Sequence, residues 1–277
     1  MPKIKQTNEV NRKEKLKPSV ENDPLYVTAL ARGLNILQCC GDAAHDMSVS
    51  EISKQLGLPQ STVWRACYTL VQHGYLVRVE NERLRPGLNV LRLGHTALSR
   101  HSLADLALPN IVDISKDFQG TVSLGIPQDS DMLYVARVEG GPPSYSGLRV
   151  GSRVGVLGSA MGWAWLAALS KRRRNEFISK ARAQTDVKSV RIWAQLEDAI
   201  RFYEEHGFLV NSGVIHPELN AIAVAILDKS NQPVASISFG GTVAEFPVQR
   251  LIDEVAPRLL NMASGLSVSL RIEHRGT

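Results

Sequence analysis

The first hundred residues carry apolar positions at helical spacing, in three short segments separated by turn residues. In the segment Leu25–Cys40, apolar side chains recur at positions 30, 34 and 37, which predicts a first helix. The next segment, "SVSEISKQLGLP", begins with Ser48 and Glu51, the spacing of a capping box in which each side chain binds an otherwise unpaired amide. Because Gly57 is a typical C-terminal stop, we predict a short second helix that ends in a tight turn.

A third helix is predicted in the segment 60–74, "QSTVWRACYTLVQHG". Its apolar residues lie at positions 63, 66, 67, 70 and 71, the spacing of a buried stripe. The opposite face then carries Ser61, Trp64, Arg65, Tyr68 and Gln72. This face is unusual for a helix that meets only water. It suits a helix in the DNA major groove, where Arg binds guanine edges and Gln adenine edges.

A hairpin follows the third helix. The segment "YLVRVENERLRPG" alternates apolar and polar residues on both sides of a turn at 80–82, which predicts two short strands. Arg78, Arg83 and Arg85 lie on or near these strands, where a wing would reach the DNA backbone or the minor groove. Together the cap, the turn, the exposed face and the hairpin predict a winged helix-turn-helix.

Two interpretations fit the sequence of this region. A helical hairpin inside an ordinary α+β core would show a similar pattern by chance, but the agreement of several independent features favours DNA binding. We expect the second helix to support the third, and the third to contact bases. The residues expected to contact DNA are Gln60, Ser61, Thr62, Trp64, Arg65 and Tyr68 on the helix, and Arg78, Arg83 and Arg85 at the hairpin.

The charge distribution agrees with a DNA-binding N-terminal part. Residues 1–100 hold 14 Lys and Arg against 9 Asp and Glu, whereas residues 101–277 hold 18 of each kind. A basic module on a neutral remainder indicates a polyanion partner. Residues 1–24 are polar and charged, which predicts a disordered tail and not a secretory signal. No apolar run reaches the roughly 18–20 residues that span a membrane, so we expect a cytoplasmic protein.

Three cysteines are present: Cys39, Cys40 and Cys67. An odd, small number argues against a disulfide framework, and the spacing does not match a zinc site. We expect these side chains to be small buried apolar groups. A redox- or metal-responsive regulator that uses them remains an alternative.

The remainder of the chain mixes helices and strands. Residues 88–100, "LNVLRLGHTALSR", predict an amphipathic linker helix, and Leu103–Phe118 predicts another helix with an early kink at Pro109. Strands are expected in "GTVSLGI", "MLYVARVEG", "YSGLRVGSRVGV", "AIAVAILD" and "PVASISFGG", and further helices over 159–169, 171–183, 192–206 and about 247–268. This order predicts an α+β fold in which helices cover a sheet.

We found no catalytic signature. Gly-x-Ser-x-Gly, His-Glu-x-x-His, Walker and Rossmann motifs do not occur in the sequence. His206 and His216 lie ten residues apart, and Glu204 and Glu205 adjoin the first, but a metal site needs three or more converging ligands. We expect no catalysis, no cofactor and no metal. An enzyme with an accessory DNA-binding domain is the alternative.

A ligand pocket is the remaining candidate in the second half. The segment "GVLGSAMGWAWLAAL" begins a helix with small residues, where Ser159, Ala160 and Met161 offer amides, a hydroxyl and a soft apolar side chain. Such a helix start favours a ligand carboxylate. The alternative is that the small residues only allow close packing of helix on sheet.

The chain from Tyr26 onward resembles the isocitrate lyase regulator (IclR) family of bacterial transcription factors. The resemblance rests on "ALARGLNILQCC", "SVSEISKQLGLPQSTVWRACYTLVQHGYLVR" and "LRPGLNVLRLGHTALS" in the first half, and on "LGSAMGWAWLAAL" and "HGFLVNSGVIHPELNAIAVAILDKSNQPVASISFGG" in the second. Two residues depart from the family pattern. Trp64 stands where the family often has histidine, which bears on the operator. Trp163 stands where a small or basic residue is common, which bears on the ligand.

The resemblance implies a domain order: a tail (1–24), a winged helix-turn-helix (25–87), a linker helix (88–102) and a GAF/PAS-like α/β effector-binding domain (103–272). It also implies a repressor or activator of catabolic operons, controlled by an aromatic or other small organic acid. The expected partners are double-stranded operator DNA, the effector and a second copy of the chain, in homodimers through the DNA-binding half and often in tetramers. On DNA, the protein would be nucleoid-associated.

By resemblance, the effector lies between the start of the helix at 159, a loop at Asn211–Asn220 and the inner faces of the later strands. Val135 and Leu148 are further candidate walls. The positions expected to bind the effector are Ser159, Ala160, Met161, Asn211, Leu219, Ala221, Ser236 and Ser238.

Overall fold

The structure is a computed structural model that describes residues 23–99, 102–141, 147–184, 190–213 and 217–273. The predicted tail lies almost wholly outside these ranges, as does His216. The chain divides into two compact units between Ala97 and Leu98. No helix among the described residues is long and apolar enough to cross a membrane.

The N-terminal unit is the predicted winged helix-turn-helix. Its elements are α1 (Thr28–Asp42), α2 (Val49–Leu56), α3 (Gln60–Gln72), β1 (Leu76–Arg78), a 3-10 turn (Glu80–Glu82) and β2 (Leu84–Pro86). Strands β1 and β2 pair in antiparallel orientation. Helix α4 (Asn89–Ser99) follows and contains the division between the units. The core consists of Ile36, Cys39, Cys40, Met47, Ile52, Val63, Cys67, Leu76 and Leu84.

The short helix α2 begins and ends where its sequence signals predict. The Ser48 hydroxyl accepts the Glu51 N–H, and the Glu51 carboxylate accepts the Ser48 N–H, which completes the capping box. Gly57 ends the helix in the left-handed region at φ 66°, which glycine adopts without steric cost. The Leu58 N–H then donates to the Ser53 carbonyl at 3.1 Å, so the turn into α3 is fixed by its own hydrogen bonds.

The C-terminal unit is an antiparallel sheet with helices on both faces. Its strands are β3 (Thr121–Gln128), β4 (Asp131–Glu139), β5 (Arg153–Gly155), β6 (Leu209–Ser212), β7 (Leu219–Leu227) and β8 (Pro233–Thr242), in the order β5-β4-β3-β8-β7-β6. Its helices are α5 (Ser102–Phe118), α6 (Ala160–Ala168), α7 (Lys171–Gln184), α8 (Val190–His206), α9 (Val248–Arg250) and α10 (Ala256–Glu273).

Alternation along the strands separates two cores. One face, which we call the α5 face, packs Val122, Leu124 and Ile237 against α5 and α10. The other, the α6 face, packs Tyr134 and Ala223 against α6 and α8. Because α6 is apolar around its whole circumference, it is buried between the sheet and α8.

Three sequence expectations for this unit are corrected by the structure. The predicted loop at Asn211–Asn220 is wrong at both ends, because Asn211 lies in β6 and Asn220 in β7. Among the described residues of "YSGLRVGSRVGV", only Arg153–Gly155 forms a strand. The helix expected over about 247–268 contains a π turn at Leu251–Val255, which the residue pattern does not predict.

Candidate DNA interface and effector site

Helix α3 exposes the face that the sequence predicts. Val63 and Cys67 are fully buried on its inner side. On the outer side Trp64 is 52% exposed and Tyr68 is 49% exposed. Gln60, Ser61 and Arg65 are also exposed, whereas Thr62 is half-buried. The six helix residues expected to contact DNA therefore surround the start and outer face of one helix.

The first turn of α3 is left without a side-chain cap. Its N-cap residue is Pro59, which has no side-chain hydrogen bond to offer. The Gln60 Nε2 atom instead donates to the Ser50 hydroxyl of α2 at 3.3 Å. Uncapped amides at a helix start favour an anion.

The hairpin has an unusual backbone at its tip. Asn81 and Glu82 both have φ of 57°, a conformation that few residues other than glycine adopt. The Arg78 guanidinium lies 2.8 Å from the Glu82 carboxylate across this turn. A groove of about 260 Å³ separates the hairpin from α2 and α3, with Ser50, Trp64 and Arg78 among its walls.

The two other hairpin arginines contact carboxylates of the helical part. The Arg83 guanidinium binds both oxygens of Glu51 at 3.0 to 3.5 Å. Arg85 lies more loosely, with Nε 3.6 Å from an oxygen of Asp46. Sequence reasoning found Glu51 as a cap but missed it as the partner of Arg83, because the two are 32 positions apart.

Glu51 is the electrostatic centre of this contact. Hydrogen bonds from the Ser48 N–H, the larger effect, and from the Ser48 hydroxyl stabilise the Glu51 carboxylate and lower its pKa. The positive charge of Arg83 lowers it further. The His45 Nε2 atom lies 4.0 Å away. One carboxylate thus closes the start of α2 and holds the second strand of the hairpin.

The α6 face of the C-terminal unit is built from small side chains. Directly paired residues of an antiparallel sheet share a face, and the strand registers place two rows side by side. One row is Arg137, Ser123, Ser238, Ala223 and Leu209, and the next is Glu139, Thr121, Gly240, Ala221 and Asn211. Ser236 lies on the same face opposite Gly125.

The start of α6 packs tightly against these rows. The Ser159 hydroxyl accepts the Gly162 N–H at 3.1 Å as the N-cap. Ala160 and Met161 are buried, and the Met161 sulfur fills the space over Gly125, since a Cβ there would approach it to 2.3 Å. Close packing of helix on sheet, the alternative considered for these residues, is therefore part of what they do.

The expected effector-binding residues are gathered on one face but not in one cavity. Ser236 and Ser238 lie towards β3, whereas Ala221, Leu219 and Asn211 lie towards the β6 edge. Leu148 packs against the core cluster of the α6 face. Val135 is the extra residue of a β-bulge in β4, because Leu124 pairs with Ala136 and Gly125 with Tyr134. Its side chain belongs to the core of the α5 face. It therefore cannot line a pocket on the α6 face.

A groove of about 390 Å³ runs along the β6 edge. Asn211 is the expected effector residue that lines it, together with Trp163, Asp198, Phe202 and Ile252 among others. The Trp163 indole N–H donates to the Leu157 carbonyl at 2.7 Å, which fixes the ring at the base of the groove. The bulky residue noted in the sequence thus occupies space next to the candidate site.

Two family models match the chain over these two units. "IclR helix-turn-helix domain" matches residues 29–80, and "Bacterial transcriptional regulator IclR C-terminal" matches residues 95–268. The chain belongs to the IclR family of bacterial transcriptional regulators. The fold and the DNA-binding class expected from the sequence are thereby confirmed.

Individual IclR relatives extend over most of the chain. The Pca regulon regulatory protein of Pseudomonas putida is 29% identical over 86% of this chain and 82% of its own. The solved structure of an IclR family transcriptional regulator from Brucella abortus has a TM-score of 0.75 and 29% identity, and covers 89% of this chain and 94% of that one. An IclR homologue of Microbacterium hydrocarbonoxydans, solved with 4-hydroxybenzoate, has a TM-score of 0.72 at 21% identity, over 87% and 98% of the two chains.

Arg137 is a residue of the IclR C-terminal domain that sequence reasoning missed. Its side chain is 9% exposed, donates to the Ser123 hydroxyl at 2.8 Å and to the Glu139 carboxylate at 3.0 and 3.2 Å, and lies over the Tyr134 ring. The available signal was an arginine inside the apolar strand "MLYVARVEG". This largely buried cation, which already binds the Glu139 carboxylate, lies in the same row as Ser123 and Ser238 and gives the face a group of the kind that binds carboxylates.

The three cysteines of this IclR chain lie in the core of the N-terminal unit. All are buried and none is in a disulfide. Burial, with the neighbouring thiols, raises the pKa of Cys40 to about 12, and burial raises the pKa of Cys67 to about 11. Burial also raises the pKa of Cys39. No group of three or more metal-ligating side chains occurs among the described residues. Protonated buried thiols are unreactive, which disfavours the redox and metal alternatives.

Proposed function

We propose that this IclR-family chain recognises an operator sequence through α3 and changes its DNA affinity when a small organic acid binds on the α6 face. The single observation that carries the DNA part is the outer face of α3. It holds Trp64, Arg65 and Tyr68 exposed, opposite the buried Val63 and Cys67. Arg65 is the one charged residue of α3, so the outer face of this helix carries no negative charge.

We assign the DNA contacts by exposure. Arg65 and Gln60 read base edges, and Ser61 and Thr62 bind phosphate or base near the start of α3. At the hairpin, we assign Arg78 and Arg85 to the DNA backbone, because their carboxylate partners, Glu82 of the same turn and Asp46 of a loop, do not tie them to a helix. Arg83 has its guanidinium on Glu51, so we assign it chiefly to holding the hairpin in position.

The DNA part is tested by footprinting the purified protein on the DNA upstream of its own gene. We expect a protected, roughly palindromic site, since two-fold symmetric dimers match two-fold symmetric operators. Protection that is uniform along the fragment and disappears with competitor DNA would overturn the assignment.

The effector part rests on polar groups buried on the α6 face. The Ser236 hydroxyl is fully buried and has no hydrogen-bond partner among the described residues. A buried polar group without a partner costs free energy that a ligand group can recover. Arg137 is a cation on the same face, two strands away. The complex of the Microbacterium homologue with 4-hydroxybenzoate supports an aromatic or other small carboxylic acid as the effector class.

We keep Ser159, Ala160, Met161, Asn211, Leu219, Ala221, Ser236 and Ser238 as the proposed effector-binding positions. Binding would bias two arrangements of the DNA-binding units, which couples effector to operator. The chain would thereby repress or activate an operon without catalysis and without a cofactor. Because its partner is chromosomal DNA, we place it in the cytoplasm, on the nucleoid when bound.

We infer a homodimer through the DNA-binding unit, with tetramers as a further assembly. Leu30 and Leu34 lie one turn apart on α1 and are 62% and 51% exposed, and Val27 precedes them at 62%. Exposed apolar side chains in a row are typical of a protein interface. Light scattering on the double variant Leu30→Glu, Leu34→Glu should give a smaller mass than the unchanged protein, and an unchanged mass would reject this interface.

A further inference from the structure

The outer face of α3 carries two aromatic rings that stack on each other. Trp64 and Tyr68 are one helical turn apart, with ring centroids 5.7 Å apart and planes 20° from parallel. About half of each side chain is exposed. A surface helix normally turns such rings inward, because their burial is favourable. Here the inward positions belong to Val63 and Cys67, so the aromatic surface faces out.

The chemistry of this surface limits what it can cover in a major groove. Ring faces offer no strong hydrogen-bond donor or acceptor. If they lay against guanine, cytosine or adenine edges, they would bury polar atoms without partners, which is costly. The thymine C5-methyl is the apolar group that the major groove presents. An aromatic surface on a groove-reading helix therefore fits thymine better than any other base.

The charges around the rings fit DNA and not a protein core. Helix α3 contains no Asp or Glu, and the exposed Arg65 lies beside Trp64. Arg78 borders the groove that Trp64 also lines, where its guanidinium is ion-paired with Glu82. An apolar surface next to the exposed Arg65 suits a polyanion that also presents methyl groups.

We propose that Trp64 and Tyr68 form a thymine-reading surface, which rests on the proposed DNA-binding function and names bases that it recognises. Four residues of helix advance about 6 Å, close to two base-pair steps of about 3.4 Å. The two rings therefore cover one or two neighbouring thymine methyls in each half-site. The guanine read by Arg65 lies within a step or two of them.

The test begins with selection of preferred sites from a random duplex library by the full-length protein. Each thymine of the selected site is then replaced singly by deoxyuridine, which removes only the C5-methyl. Burial of one methyl group corresponds to about fourfold in affinity. We expect one or two positions per half-site with a loss of about fourfold, and no change at the other thymines.

Variants assign the effect to the rings. Trp64→Ala and Tyr68→Ala should bring the thymine-to-uracil affinity ratio at those positions close to one. Tyr68→Phe keeps the ring and should keep the ratio, which also controls for loss of folding. Gln72→Ala, on the same face but without a ring, should leave the ratio unchanged.

The outcomes separate the two levels of the proposal. If the protein enriches no sequence at all, the proposed sequence-specific DNA binding is overturned, and this inference falls with it. If a site is enriched but uracil is tolerated at every thymine, the proposed function stands and the thymine-reading surface is wrong. The same holds if the ratio survives in Trp64→Ala and Tyr68→Ala.

Discussion

Arg83 on the second strand of the hairpin binds Glu51 at the start of α2 through both of its terminal nitrogens, at 3.0 to 3.5 Å. The same carboxylate accepts the Ser48 N–H at 2.7 Å. The cap of a helix and the anchor of the hairpin are therefore one group. Ionised Glu51 therefore holds the hairpin in position together with the two backbone hydrogen bonds between Met47 and Leu84.

The contribution of Glu51 to stability should be lost in acid. Its pKa is lowered in the folded protein, so its contribution is fully present above the ordinary glutamate pKa and disappears as pH falls through the lower folded value. Denaturant unfolding of the unchanged protein and of Glu51→Gln across this range measures the effect. We expect a difference in free energy of unfolding that is largest at neutral pH and shrinks in acid. A constant difference would contradict it, since other carboxylates titrate equally in both proteins.

Arg65→Ala should relax operator specificity. A guanidinium that binds a guanine edge contributes about 1–3 kcal/mol of discrimination between bases. The variant should lose about this much binding free energy on the selected operator, and its base preference should disappear at one position. Binding to operators mutated singly at each position measures this. Equal weakening on operator and on random DNA would show that Arg65 binds only phosphate.

Arg85→Gln should weaken binding to every DNA sequence alike. A phosphate contact adds about one to the slope of log affinity against log salt concentration, so the variant slope should be about one unit shallower. Arg83→Gln is the matched comparison, because its guanidinium is held by Glu51. We expect it to lower the free energy of unfolding with little change in slope. An unchanged slope for Arg85→Gln would reject its phosphate contact.

Arg137→Gln should abolish the response to carboxylic acids and leave DNA affinity without effector unchanged. The guanidinium is a largely buried cation on the α6 face that donates to the Ser123 hydroxyl, and a charge-assisted hydrogen bond to a carboxylate is about twice as strong as a neutral one. Titration of the protein–DNA complex with a panel of small acids measures it. Arg172→Gln, on the exposed side of α7, is the control. A full response in Arg137→Gln would remove this residue from the site.

The cysteines should resist alkylation in the native protein. With a pKa of about 12 for Cys40, roughly one thiol in ten thousand is ionised at pH 8. Reaction with iodoacetamide, followed by mass spectrometry, should be very slow until denaturant is added. Rapid modification without loss of folding would reopen a redox role.

Local signals made the N-terminal unit predictable. The capping box at Ser48, the glycine at position 57 and the apolar stripe of α3 are each encoded within a few neighbouring residues. The Glu51–Arg83 contact was not predictable in this way. It joins residues that the fold brings together from separate elements, and no spacing rule connects them.

The C-terminal site was predictable only in part. The face shared by Ala221, Ser236 and Ser238 follows from strand alternation, but the row that places Arg137, Ser123 and Ser238 on three neighbouring strands depends on the strand order β4, β3, β8. Strand β6 was missed because it has only four residues and lies between two glycines, Gly207 and Gly213. The bulge that moves Val135 to the α5 face likewise depends on pairing with a distant strand.

The most direct test of an effector-controlled operator protein is its binding to the DNA upstream of its own gene. Affinity is measured at two salt concentrations with excess random DNA, and small carboxylic acids are added in turn. We predict salt-sensitive binding that survives the competitor and is shifted by at least one acid. Binding that is lost to random DNA at both salt concentrations would contradict sequence-specific DNA recognition. A specific complex that no acid shifts would contradict control by a carboxylic acid effector.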